Sequence, residues 1–106
     1  MIARLWSART TPQLSAAYLE YFLKNVLPEL QSIPGYVSAN VLTTTGTNAN
    51  EIEILVQTIW QSLEAITAFA GPDREAAVVH PAAAALLTTL DRRVRHFNLS
   101  LSDPAK

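Results

Sequence analysis

The chain has 106 residues, 49% of them hydrophobic, with eight Lys and Arg, nine Asp and Glu and no cysteine. That length makes one compact domain whose core needs no staple. The missing cysteines exclude a disulfide scaffold, a thiolate metal site and a cysteine nucleophile, and a formal net charge of −1 supplies no field to draw nucleic acid or an anionic membrane.

Charged residues make up only 16% of the chain, against roughly a quarter in ordinary soluble domains. A small domain so poor in charge is expected to hide part of its surface in an oligomer. The start, Met1-Ile2-Ala3-Arg4-Leu5-Trp6, lacks the features of a signal peptide. No apolar run is long enough to span a bilayer, so the expectation is a soluble, cytoplasmic protein.

Ile2–Ser7 is short and rich in large apolar residues, which predicts a first strand. Thr11 is suited to cap a helix, with Pro12 at its first position where the missing N–H costs nothing. Leu14, Tyr18, Phe22 and Val26 recur every four residues, and Leu19, Leu23, Leu27 and Leu30 widen the apolar stripe. Pro28 should end or kink this helix near Leu27, with a last turn over Glu29–Ser32 before Pro34-Gly35.

Tyr36–Thr45 alternates as a strand, with Val37, Ala39 and Val41 on one side. Glu51–Trp60 is the clearest strand, with Ile52, Ile54, Val56, Thr58 and Trp60 on one face and Leu55 and Ile59 on the other. The polar Gly46–Asn50 loop between the two runs makes them an antiparallel hairpin. Ser62 caps a second helix that carries Leu63, Ile66, Phe69 and Ala70 and stops at Gly71-Pro72. A further helical piece is expected over Asp73–Val79, another over Ala82–Leu90, and a fourth strand over Arg92–Leu101. The domain therefore spans 1–101, with a frayed tail over 102–106.

The order β-α-β-β-α-β is the split βαβ pattern of ferredoxin-like folds, an α+β class with a four-stranded antiparallel sheet. Both helices cover one face. Leu55 and Ile59 on the other face call for a partner, most simply a second copy across a two-fold axis.

The segment Ile54-Leu55-Val56-Gln57-Thr58-Ile59-Trp60-Gln61-Ser62-Leu63-Glu64-Ala65-Ile66-Thr67-Ala68-Phe69 resembles the third-strand-to-second-helix junction of the antibiotic biosynthesis monooxygenase-like superfamily of dimeric α+β barrels. Ile33-Pro34-Gly35-Tyr36 is similar to that superfamily's approach to its second strand, and Val94-Arg95-His96-Phe97 to its closing strand. The resemblance implies a homodimer with one pocket per subunit between helices and sheet. It also implies one of two chemistries: cofactor-free oxidation of a planar phenolic or polyketide-like substrate by molecular oxygen, or haem binding and degradation. Trp60 matches the shared tryptophan, and His80 falls near the haem-ligand position once a gap is allowed. The strand-one asparagine of the haem degraders has no counterpart in Ala3-Arg4-Leu5, and the asparagine of the quinone-forming enzymes falls at Val56.

Candidate residues follow from chemistry and position. Trp60, with Ile54 and Val56 beside it, is either core or a pocket wall able to stack a planar ligand; Trp6 has the same two readings. Phe22 and Tyr18 lie on the inner stripe of the first helix, where a phenol can hydrogen-bond a substrate oxygen. His80, ahead of Pro81, and His96, on the last strand, are candidate proton acceptors or else surface histidines. Arg4 in an apolar strand is paired with a carboxylate such as Glu53 or presented to an anion. No Gly-rich phosphate loop, metal-ligand spacing or nucleophile elbow is present, and the quinone-forming branch of the resemblance implies neither a metal nor an organic cofactor. The leading expectation is a cofactor-independent monooxygenase acting on a small aromatic ligand. The alternatives are a non-catalytic ligand-binding or structural dimer and a haem-binding or haem-degrading protein.

Overall fold

The computed structural model describes residues 1–103. Its backbone is a five-stranded antiparallel sheet with helices on one face, an α+β arrangement. The strands are β1 (Ile2–Thr10), β2 (Tyr36–Thr45), β3 (Ile52–Trp60), β4 (Thr89–Leu90) and β5 (Arg95–Asn98). β1 pairs with β3 on one side, and β3 with β2. On its other side β1 pairs with β5 at Ile2–Leu5 and with β4 at Ala8 and Arg9. The fourth strand expected over Arg92–Leu101 is therefore only β5, and β4, from the span expected to be helical, pairs further along the same edge of β1.

β1 runs three residues past its expected end because alternate burial continues through Ala8 and Thr10. Arg9, facing the other way, reaches Glu51 across the sheet at 2.9 Å. The helix that follows starts as its sequence dictates, with the Thr11 hydroxyl accepting from the Leu14 N–H and Pro12 at the first turn. α1 (Pro12–Tyr21) then passes into a π-helical turn (Phe22–Val26) and resumes as α2 (Leu27–Gln31). The Leu27 N–H reaches the Phe22 carbonyl, five residues back. Pro28 therefore neither stops nor sharply kinks the helix. A proline ring collides with the carbonyl four residues earlier in an α-helix, and one wide turn just upstream relieves that contact. The apolar stripe is narrower than expected: Tyr18, Phe22 and Leu30 are buried, whereas Leu19 and Leu23 are exposed.

Gly35 closes the turn into β2 at φ +93°, and a Cβ there would stand 2.5 Å from that of Ala65. Only glycine satisfies both conditions. Gly35→Ala is expected to destabilise the fold by about 2–3 kcal/mol, read as a lowered urea midpoint at unchanged slope.

α3 (Leu63–Ala70) is capped by the Ser62 hydroxyl, which accepts from the Ala65 N–H, and ends at Gly71 with φ +87°. Beyond it the helix expected over Asp73–Val79 does not form. The segment is an extended strap against the chain before β5: the Ala77 N–H donates to Arg92 O, the Val94 N–H to Glu75 O, and Ala76 bridges Arg93. The adjacent β-branched Val78-Val79 and the extended bias that Pro81 imposes on His80 favour that conformation. The helix expected over Ala82–Leu90 shrinks to α4 (Pro81–Ala84), because Thr89 and Leu90 are taken up by pairing with β1. Ser102 and Asp103 are exposed and outside any element, and the rest of the expected tail, 104–106, lies outside the described residues. No helix among the described residues is long and apolar enough to cross a membrane.

Candidate functional site

Strand register sets the site. Arg4 stands opposite Thr58 and Trp6 opposite Val56, all four facing the helices, and on the other side Arg4 stands opposite His96. Above this floor the π-turn brings Tyr18, Phe22 and Val26 together. They enclose an apolar cavity of about 60 Å³ against Arg4, Trp6, Val56, Thr58 and Val94. Phe69, Val78, Val79 and Ala83 form its far wall, and Glu29 and His80 stand among its polar lining residues. Of the candidates, Arg4, Tyr18, Phe22, Val56 and His80 line the cavity, together with Trp6. Ile54, Trp60 and His96 do not.

Trp60 is sealed, with 0% exposure. Its indole N–H donates to the Thr58 hydroxyl at 2.8 Å, and its ring stacks on Phe69 at 5.6 Å and meets Tyr36 edge-on at 5.7 Å. It supports the cavity wall through Phe69 and Thr58 without facing the cavity itself. Ile54 is likewise fully buried in the core one register step past Val56.

Arg4 is only 5% exposed, and Glu53 is not its partner. Nη1 donates to the Arg74 carbonyl and lies 3.0 Å from His96 Nε2, and Nη2 donates to the Ala76 carbonyl at 2.8 Å. The guanidinium lies 5.7 Å from the Phe69 ring centre. Among the described residues, no carboxylate neutralises it. Burial lowers its pKa to about 10, so it stays charged at neutral pH. A guanidinium has donors only, so His96 Nε2 is the acceptor and the imidazole carries its proton on Nδ1. Burial, and then the charge of Arg4, hold His96 below the ordinary imidazole value. Its Nε2 is engaged by Arg4, and His96 does not line the cavity.

Tyr18 is buried, and desolvation, helped by Tyr21, pushes its phenol up to about 12. It remains protonated at neutral pH and can only offer a hydrogen bond, never act as the base. His80 is exposed, with Nε2 3.4 Å from Glu29 Oε1. That imidazole–carboxylate pair is the one titratable pair among the lining residues. Among the described residues, no three His, Asp or Glu side chains converge to hold a metal ion.

Trp6, Thr58 and Glu29 were not singled out from sequence as site residues on a par with the others. Alternation could have placed Trp6 and Thr58 beside Arg4 and Val56. Nothing local signals Glu29, which the helix continuing through Pro28 carries to the cavity.

This arrangement, a helix-covered antiparallel sheet with strand order 2-3-1 and a split edge, is a ferredoxin-like fold shared with solved structures of two monooxygenases and a haem degrader. A protein of Bacillus cereus ascribed to the antibiotic biosynthesis monooxygenases superposes with a TM-score of 0.63 at 18% identity, over 95% of this chain and 96% of its own. The haem degrader MhuD of Mycobacterium tuberculosis, with two haems in its active site, gives 0.58 at 20% identity over 96% and 98%. The ActVA-Orf6 monooxygenase of Streptomyces coelicolor, in complex with nanaomycin D, gives 0.58 at 16% identity over 91% and 82%. No family model matches the sequence, and no curated protein matches it.

In its present shape the cavity holds neither haem nor a smaller planar ligand. A cavity that holds benzene measures about 150 Å³, and this one is less than half that. His80, the one imidazole lining it, already faces Glu29. Any planar ligand requires a wall to move.

Proposed function

We propose that this protein is a cofactor-independent monooxygenase acting on a small planar aromatic or polyketide-like substrate, as a homodimer with one cavity per subunit. The observation that carries the reading is a buried guanidinium without a carboxylate partner in the floor of an otherwise apolar cavity. An acidic phenol or enol entering there gains a counter-ion in a setting of low dielectric, which favours its anion. Tyr18 offers that anion a hydrogen bond, and His80, oriented by Glu29, accepts the proton at the cavity's edge. An electron-rich anion can reduce molecular oxygen itself. Electron transfer and recombination give a hydroperoxide, which loses water to leave a carbonyl. A CH₂ group and O₂ thus become C=O and H₂O, with no outside reductant. The fold it shares with monooxygenases supports this reading, at identities of 20% or below.

The test is oxygen uptake with a panel of anthrone-like and quinol substrates, without added metal or flavin. Activity is expected to fall about 100-fold or more in His80→Ala, since removing a positioned base costs on the order of 100-fold to 10,000-fold. Tyr18→Phe and Glu29→Gln should each cost less. No uptake above the uncatalysed rate across the panel would leave a non-catalytic ligand-binding dimer as the better reading.

A further inference from the structure

We infer that His96 and Arg4 form a pH-sensitive latch on the cavity wall: the guanidinium holds the strap over residues 74–80 closed while His96 is neutral, and protonation of His96 releases it. The argument starts from hydrogen-bond roles. Arg4 donates at once to His96 Nε2 and to the carbonyls of Arg74 and Ala76. The strap held at those two carbonyls runs directly into Val78, Val79 and His80, which line the cavity. Val78 and Val79 belong to the wall whose displacement would enlarge a cavity of about 60 Å³.

Protonation at Nε2 removes the acceptor and sets two cations within hydrogen-bond distance, where they repel. The imidazole is otherwise faced by Arg74, whose charge also disfavours the proton, and by Glu75, whose charge favours it. Asp73 lines the same surface hollow, but it and Glu75 are already engaged by Arg93 at 2.6 and 3.2 Å. From α3 the hollow receives only the uncharged Leu63. Arg93 thus ties the outer edge of the strap, and Arg4 with His96 ties its inner edge. The sign is fixed by the direction of the His96 shift. Its folded-state value lies below that of the unfolded chain, so the stabilisation is present above the ordinary imidazole value and is lost as pH falls through the folded value.

The latch concerns access to the cavity and holds whether or not the occupant is oxidised. Strap opening is read by hydrogen exchange and activity by oxygen uptake, so failure of one is distinguishable from failure of the other. Hydrogen–deuterium exchange, corrected for intrinsic rates, should be followed from pH 8 to pH 5 in wild type, His96→Gln and His80→Gln. The Ala77 and Val94 amides, which tie the strap to its neighbour, should exchange at least 10-fold faster at pH 5, with β3 amides unchanged. Glutamine offers Arg4 an acceptor that does not titrate, so His96→Gln should abolish the dependence while His80→Gln keeps it. A pH-independent strap, a uniform rise across the sheet, or a dependence removed by His80→Gln would overturn the proposal. Should His96→Gln fail to fold, NMR titration of the wild-type imidazole decides: strap opening must share the His96 midpoint, and a separate midpoint overturns the latch.

Discussion

Arg4→Ala is expected to destabilise the protein by about 3 kcal/mol, lowering the urea midpoint by about 1–2 M at the slope of a small domain. The substitution strands three acceptors, the carbonyls of Arg74 and Ala76 and Nε2 of His96. A fully buried acceptor left without a donor costs about 1–3 kcal/mol, and each of these costs less because Arg74 is exposed and Ala76 and His96 are half-buried. The sum is offset in part because a guanidinium without a carboxylate partner no longer has to be kept out of water. Arg4→Lys should recover little, since one ammonium cannot span both carbonyls and the imidazole as the planar fork does. Loss should be local first: the strap over residues 74–80 should become protease-sensitive before the sheet unfolds. A midpoint within roughly 0.3 M of wild type would mean the three contacts contribute nothing net.

The same residue shows how far the sequence could be read. Alternation places Arg4 on the inner face of β1, and a buried cation has to find acceptors. Glu53 was the reasonable partner from composition, but alternation on β3 puts it on the outer face, where it lies 3.5 Å from Ser7. The true partners are backbone carbonyls some 70 positions away, and carbonyls leave no mark in a sequence. The strap itself was hidden for a related reason. Asp73–Val79 has no strong period of its own, and its extended form is held by bonds to Arg92 and Val94 that only the fold creates. By contrast β2, β3 and the caps at Thr11 and Ser62 were legible because alternation and capping chemistry are local. Trp60 was legible as an inward residue. Whether an inward residue faces a cavity or fills the core depends on the helix above it, and here Phe69 covers it.

Leu55→Glu is expected to weaken self-association at least 100-fold without unfolding the chain. The sheet face away from the helices carries Leu42 and Leu55 as direct cross-strand neighbours, 49% and 36% exposed, and Phe97 at 41%. Among the described residues, no helix covers this band. Arg95 lies over the Phe97 ring at 4.7 Å, and Asn40 and Gln57 hydrogen-bond to each other across it at 3.2 Å. A second copy is the occupant expected from the two-faced apolar pattern of β3, and a C₂ contact is the simplest that closes. A carboxylate stranded in that contact costs several kcal/mol, and about 2.8 kcal/mol already amounts to 100-fold. Ile59 is the less useful site for this test despite sharing the face. It is only 9% exposed in the single chain, so Ile59→Glu would place a charge in the fold itself and confuse unfolding with dissociation. Sedimentation at micromolar concentration should find wild type as a dimer and Leu55→Glu as a monomer with unchanged far-ultraviolet circular dichroism. A wild-type monomer under those conditions would remove the dimer and, with it, the explanation for so small a charged fraction.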